Sequence, residues 1–160
     1  MSGGDFSHWQ ANARGVDLNH NYKEGFDSYK AVERERGICP GPTLYSGEYP
    51  ESEPESRFAA SLVRALRPCL TVSLHSQGEE LYFTERAAAC AGWFSGVTGY
   101  SLSVAEGTAK YGGLTDYVGA LGLAGITVEL GRGVNPLGED CIPRLSGRVL
   151  GALIRLPTKL

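Results

Sequence analysis

An α/β fold, with a mixed, largely parallel sheet flanked by helices, is what the sequence predicts, and three observations carry it. Leu70, Val72 and Leu74 alternate with Thr71, Ser73 and His75, the period of two that a strand requires. Helical spacing lies on both sides of that stretch. Phe58, Leu62 and Leu66 recur every fourth residue before it, and Leu114, Tyr117, Val118 and Leu121 fall at i, i+3, i+4 and i+7 after it. The apolar run Ile126-Thr127-Val128-Glu129-Leu130 then reads as a buried strand, and Ile142, Leu145, Val149 and Leu153 mark one more helix. Helix, strand, helix, strand, helix is the order of a layered α/β domain.

The elements follow in chain order. The first fifty residues are rich in Gly, Asn, Pro and Tyr and hold no sustained period, so they read as connecting loops with a short extended piece at Val16-Asp17-Leu18. So much loop in a compact domain either builds a binding surface or packs against elements that are missing. Ser52-x-x-Glu55 has the form of a capping box and Pro54 suits a first helical turn, which predicts a helix over 53–67 ended by Pro68. The strand ending at His75 comes next, then an extended piece at Leu81-Tyr82-Phe83 and an Ala-rich helix from Glu85 to Phe94. The helix at Leu114 is stopped by Gly122, and Gly147 and Gly151 lie along the last helix where close packing would use them. Residues 1–160 contain no internal repeat and read as a single domain.

Composition narrows the classes. The 15 basic and 18 acidic residues leave a net charge of −3, which gives no electrostatic basis for binding nucleic acid or an anionic membrane. No apolar run reaches the ~20 residues of a membrane span, and Met1 to Asp5 lack the basic and apolar regions of a secretion signal, so a cytoplasmic location is the default expectation. Cys39, Cys69, Cys90 and Cys141 form no C-x-x-C pair, so a zinc ribbon is not expected and reduced, buried thiols are. A G-x-S-x-G elbow and a G-x-G-x-x-G loop are both missing.

Open α/β sheets bind their ligands at the carboxyl ends of strands, so polar groups on apolar strand ends are the first candidates. Two qualify. His75 closes the first predicted strand, where an imidazole serves structure as often as function. Glu129 lies within an otherwise apolar run, and a carboxylate there must be paired, metal-bound or functional to offset its desolvation.

Read with the N-terminal part, these residues form a pattern. Gly15-Val16-Asp17-Leu18-Asn19-His20-Asn21 resembles the G-V-D-L-N-R-N segment of zinc carboxypeptidases of the carboxypeptidase A superfamily. Tyr45-Ser46-Gly47 with Ser52-Glu53-Pro54-Glu55 is similar to that family's stretch before a long helix. Leu74-His75-Ser76 is similar to its L-H-S strand end, and Thr127-Val128-Glu129-Leu130-Gly131 to its catalytic-acid strand. The motifs occur in the family's order over residues 9–131, and Trp9-Gln10-Ala11-Asn12 resembles the bacterial branch that cleaves γ-D-glutamyl-diaminopimelate links in cell-wall peptides.

The resemblance implies the C-terminal part of a zinc-carboxypeptidase-like fold and a zinc-dependent hydrolysis of small peptides. It makes His75 a zinc ligand, Glu129 the general base and then acid, and Asn19 the holder of a substrate carboxylate. His20 stands where the family has a carboxylate-clamping arginine, and a neutral imidazole is the weaker partner. The family's oxyanion-stabilising arginine falls at Gln10, with Arg14 near enough to substitute or to be a plain loop arginine. Tyr111 is the candidate for a mobile phenol over the substrate, and Thr115 for the specificity pocket.

One departure stands out. The family takes its first two zinc ligands from an H-x-x-E motif, and here His8, His20 and His75 are followed at i+3 by Ala11, Lys23 and Gly78. The expectation is therefore an N-terminally truncated member whose 160 residues are incomplete as an enzyme on their own, or a non-catalytic peptide-binding relative. Loss of early strands would also expose a sheet edge and favour self-association.

Overall fold

The structure is a computed structural model and describes residues 8–156. Its helices are α1 (Phe26–Arg36), α2 (Pro54–Leu66), α3 (Ala88–Thr98), α4 (Leu114–Ala120) and α5 (Ile142–Ile154). Its strands are β1 (Thr71–His75), β2 (Glu80–Phe83), β3 (Ser101–Leu102) and β4 (Gly125–Glu129). They form one sheet in the order β1-β4-β2-β3, with β1 parallel to β4, β2 antiparallel to β4 and β3 parallel to β2. The architecture is the mixed, largely parallel α/β layer the hydrophobic periods predict.

Strand alternation divides the sheet into two faces. Leu81, Ile126 and Val128 point to one side, where they are fully buried with Phe94 and Ala91 of α3 and Ala152 of α5. On the other side lie Ser73, His75, Thr127 and Glu129, below α4, and a smaller core of Tyr22, Ala60, Val63, Tyr117 and Val118 joins α2 to α4. One face is thus filled with apolar side chains and the other is polar at its carboxyl end. That asymmetry positions the site.

Several expectations need correction. The opening fifty residues are not all loop, because α1 runs from Phe26 to Arg36 between Gly25 and Gly37, both left-handed at φ 73° and 65°. Its inward face is Phe26, Tyr29 and Glu33, and the buried carboxylate hides the period from a hydrophobicity pattern. Lys30 Nζ, 2.6 Å away, and the Ser46 N–H satisfy that carboxylate. The capping box does not form. Glu53 is the N-cap of α2, and the Ser52 hydroxyl donates to Glu53 Oε1 at 2.8 Å and accepts from Asn21 at 2.9 Å. The strand β3 has no counterpart in the sequence reading. All four cysteines are unpaired, but Cys39 and Cys69 are exposed and only Cys90 is buried.

β1 ends the sheet and carries no Lys, Pro or other device that blunts an edge. Exposed apolar residues flank it on both faces, with Phe58, Leu62 and Leu66 on α2 and Leu74, Ile142, Leu150 and Ile154 on the β1 and α5 side.

Candidate active site

The strand register fixes the centre of the site. His75 pairs with Glu129 across β1 and β4, and Glu80 pairs with Glu129 across β2 and β4. Directly paired residues share a face, so an imidazole and two carboxylates form one row at the same end of three strands. His75 and Glu129 line one cavity of about 740 Å³, together with Gln10, Asp17, Asn19 and His20. The charge states follow from burial. It holds the His75 pKa below its ordinary value, with Asp17 pulling it up and His20 pushing it down. It pushes Glu129 up to about 7, with the Glu80 carboxylate adding to the shift.

The loop opposite is held by polar bonds. Asp17, 4% exposed, accepts at Oδ1 from the Asn19 N–H (3.2 Å) and at Oδ2 from the Leu44 N–H (2.9 Å) and the Thr43 hydroxyl (3.2 Å). This closes the turn Leu18–His20 and brings Asn19 and His20 to the cavity wall. Behind it, the fully buried Asn21 donates to the Ser46 carbonyl (2.6 Å), the Tyr49 carbonyl (3.3 Å) and the Ser52 hydroxyl (2.9 Å). It accepts from the Glu53 N–H and the Ser56 hydroxyl, so one amide ties the turn to the start of α2.

His20 is stacked on Tyr29 at 4.0 Å with the rings 8° from parallel, and its Nδ1 lies 3.0 Å from the Tyr111 carbonyl. Gly112 makes that approach possible, since a Cβ there would meet the His20 carbonyl oxygen at 2.8 Å. Gln10 accepts from the Thr43 hydroxyl at 2.7 Å. The structure does not bring every candidate inward. The Arg14 side chain is 65% exposed and turned to Glu53 at 3.6 Å, and neither Arg14 nor Tyr111 lines the cavity. The Tyr111 ring packs under Lys110 Nζ, 5.4 Å from its centroid. Thr115 bonds to Thr127 at 2.6 Å and lines a second cavity of about 880 Å³, which shares Asn19 and Glu129 with the first.

Three residues of the site, Asp17, Asn21 and Asn135, were not singled out in the sequence, and Glu80, conceivable there only with His20 and Glu79 as a substitute metal ligand, was not placed beside Glu129. Asp17 and Asn21 lie inside the seven-residue segment Gly15 to Asn21, and both bond to distant loops. Glu80 is legible only once the register is known. Asn135 lines the first cavity and exchanges two bonds with Ser76, at 2.7 and 3.2 Å, from a loop without hydrophobic period.

The donor set does not fit a zinc ion by itself. A catalytic zinc takes three protein ligands, and among the described residues no group of three or more His, Cys, Asp or Glu side chains converges on a point. Both oxygens of Asp17 and the Nδ1 of His20 are engaged elsewhere, while His8 and His75 also line the cavity.

The mixed α/β sheet thus carries an imidazole and a carboxylate on adjoining strand ends that face a loop-walled cavity. The sequence profile of the zinc carboxypeptidases, peptidase family M14, matches residues 5–92, more than half of the chain, and the chain belongs to this family. It is 32% identical over 140 residues to gamma-D-glutamyl-L-diamino acid endopeptidase 1 of Lysinibacillus sphaericus, covering 83% of this chain and 34% of the relative. Murein peptide amidase A of Escherichia coli K12 is 37% identical over 73 residues, 41% of this chain and 28% of that protein. Among solved structures, a murein-tripeptide amidase from Escherichia coli O157 matches with a TM-score of 0.63 and 24% identity over 94% of this chain and 62% of its own. Thrombin activatable fibrinolysis inhibitor matches at 0.65 and 22%, over 90% of this chain and 41% of that one. These structural likenesses show a shared fold. The chain spans about a third of the length of the curated relatives it matches.

Proposed function

We propose that this chain forms part of the site of a zinc-dependent peptidase that hydrolyses small bacterial cell-wall peptides at γ-D-glutamyl-diaminopimelate links. The observation that carries the reading is the row at the strand ends, with His75 and Glu129 side by side at one cavity and Asn19 on its opposite wall. The named relatives, an endopeptidase of γ-D-glutamyl-L-diamino acids and a murein peptide amidase, support the substrate class.

In this reading Glu129 handles the proton. A half-buried carboxylate with a pKa of about 7 accepts a proton from an attacking water and returns it to the leaving amine near neutral pH. Asn19 offers its amide to a substrate carboxylate, and Gln10 and His20 complete the wall. His75, which burial favours in its neutral form, would be one donor to a zinc ion that polarises the scissile carbonyl, and the described residues supply no complete donor set. Arg14 and Tyr111 take no part in the arrangement seen here. Thr115 belongs to the second cavity.

The test is zinc content together with hydrolysis of γ-D-glutamyl-meso-diaminopimelate by the full chain. Stoichiometric zinc that falls in His75→Ala, with turnover abolished in Glu129→Gln, is the expected result. Absence of zinc and turnover, with peptide binding retained, would instead establish a non-catalytic peptide-binding relative, the reading favoured by the incomplete donor set.

The reading extends to association through the open edge of β1. Strand pairing there, flanked by the bare apolar stripes of α2 and α5, gives a concentration-dependent dimer in analytical ultracentrifugation. Leu74→Lys should return the chain to monomer.

A further inference from the structure

The bonds of His20 fix which hydrogen-bonding group it can show a guest in the first cavity. Its Nδ1 lies 3.0 Å from the Tyr111 carbonyl oxygen, which can only accept, so Nδ1 carries the ring hydrogen. In the neutral ring Nε2 is then a bare lone pair. It has no hydrogen-bond partner among the described residues, and His20 lines the cavity beside Asn19. The two nitrogens do not exchange places readily. The ring is 4% exposed and stacked on Tyr29, itself fully buried and tied by its hydroxyl to the Leu44 carbonyl at 2.8 Å, and a flip would set a carbon against the Tyr111 carbonyl.

The rest of the wall is built to the same end. Among the described residues no lysine or arginine lines this cavity, and its basic side chains are the imidazoles of His8, His20 and His75. Arg14, on the same loop, is turned to Glu53. Two acids, Asp17 and Glu129, also line it, and the groups that hold Asp17 are the neutral donors of Asn19, Leu44 and Thr43. A free carboxylate entering here meets two acids and a lone pair, with no cation to offset its desolvation. A carboxamide meets none of these penalties. Its oxygen takes the Asn19 amide, and its N–H is the donor that His20 Nε2 requires.

We propose that His20 is a specificity-determining residue that selects a carboxamide over a free carboxylate on the C-terminal side of the cut. The inference rests on the peptidase reading for the placement of the peptide, and it narrows the group that Asn19 holds from a carboxylate to a carboxamide. Two sources supply that chemistry, a peptide that continues past the diamino acid and one whose end is amidated. Discrimination comes from both directions, since the amide gains a bond to Nε2 and the acid is opposed by the lone pair it would face.

The experiment titrates three probes into the full chain at pH 8, with binding read by calorimetry: γ-D-glutamyl-meso-diaminopimelate, and the same compound with the carboxylate next to its linked nitrogen converted to a primary amide or to an N-methylamide. EDTA keeps the chain free of metal, so that no probe is consumed and no metal ion meets the carboxylate. Both amides should bind roughly tenfold tighter than the acid, the scale of one hydrogen bond gained and one repulsion removed. An N-methylamide as tight as the primary amide assigns a continued chain, and a weaker one an amidated end. His20→Arg should reverse the order in favour of the acid, because a guanidinium fork receives a carboxylate. That variant has to fit a buried place, so a second readout uses the parent: nitrogen-15 NMR of the His20 ring should show a protonated Nδ1 and a bare Nε2 whose resonance moves with the amides and not with the acid. Equal affinities, tighter binding of the acid, failure of all three to bind, or a proton on Nε2 would overturn the proposal. The zinc-supplemented chain separates the two readings. Hydrolysis of the acid at a kcat/KM equal to or above that of the amides leaves the peptidase and removes the role of His20, whereas a preference for the amides in binding without hydrolysis does the reverse.

Discussion

Two regions of this chain are held together by different physics. The face of the sheet covered by α3 and α5 is a dry apolar core, with Leu81, Phe94, Ile126 and Val128 all fully buried. The region from Asn12 to Ser56 is held by polar groups instead, with Asp17, Asn21, Glu33, Ser46, Ser52, Glu53 and Ser56 all buried at 4% exposure or less. Apolar contact is tolerant of small shifts, while each hydrogen bond fixes one distance and one direction. The region that carries the wall of the cavity is the one built by the directional interaction.

The comparison breaks most visibly when a large side chain is removed from the dry core. Phe94→Ala leaves a cavity among α3, β2 and β4, and should cost about 3–5 kcal/mol in denaturant unfolding. The cavity wall should keep its arrangement while the whole chain becomes less stable. A loss below about 1 kcal/mol would mean that this face does not carry the fold.

Next in size is the polar region's own centre. Asn21→Ala removes five hydrogen bonds and leaves the Ser46 carbonyl and the Glu53 N–H buried without partners. A cost of about 2–3 kcal/mol follows from the unsatisfied groups. Its signature is local: hydrogen exchange should quicken at residues 17–21 and 46–56 and stay slow in β4. Uniform acceleration would show that the two regions unfold as one, and the contrast drawn here would fail.

The same contrast explains what could be read from the sequence. β1, β4, α2, α4 and α5 were legible because each faces an apolar core with the period of its element. The helix α1 was not, since one of its inward residues is Glu33, and a buried, fully bonded carboxylate looks like a surface position in a one-letter pattern. His75 and Glu129 were legible as polar breaks in apolar strands. The position of Glu80 was not, because its place beside Glu129 exists only in the antiparallel register of β2 on β4. The Asn21 network joins residues up to 35 apart in sequence, a distance at which spacing alone gives no geometry.

A third prediction concerns pH at the seam between the regions. The folded pKa of Glu129 is raised from 4.5 to about 7, so the fold favours the protonated form. Its favourable contribution is complete below pH 4.5 and is lost as pH rises through about 7. For the metal-free chain, Glu129→Gln should therefore gain stability relative to the parent across that interval and hold the gain above it. Thermal unfolding at pH 5 and pH 8 measures the sign, and a variant that loses ground at the higher pH would show that Glu129 is paired with a cation after all.

The smallest effect belongs to the residue that the two regions share least. Arg14 reaches Glu53 at 3.6 Å from a side chain that is 65% exposed, whereas Glu53 is 1% exposed and is also bonded by Asn12 (2.8 Å) and Ser52 (2.8 Å). Exposed ion pairs contribute about 0–1 kcal/mol because water screens them and the long side chain loses freedom. Arg14→Ala should accordingly shift the unfolding midpoint by less than that, with Glu53 still satisfied by its two neutral donors. Asn12→Ala should cost more, since it removes a donor the buried carboxylate depends on and also frees the turn at Val16, whose N–H bonds to Asn12 at 3.2 Å. If the order is reversed, charge rather than hydrogen-bond direction organises the loop, and the division between the two regions has to be redrawn around Arg14.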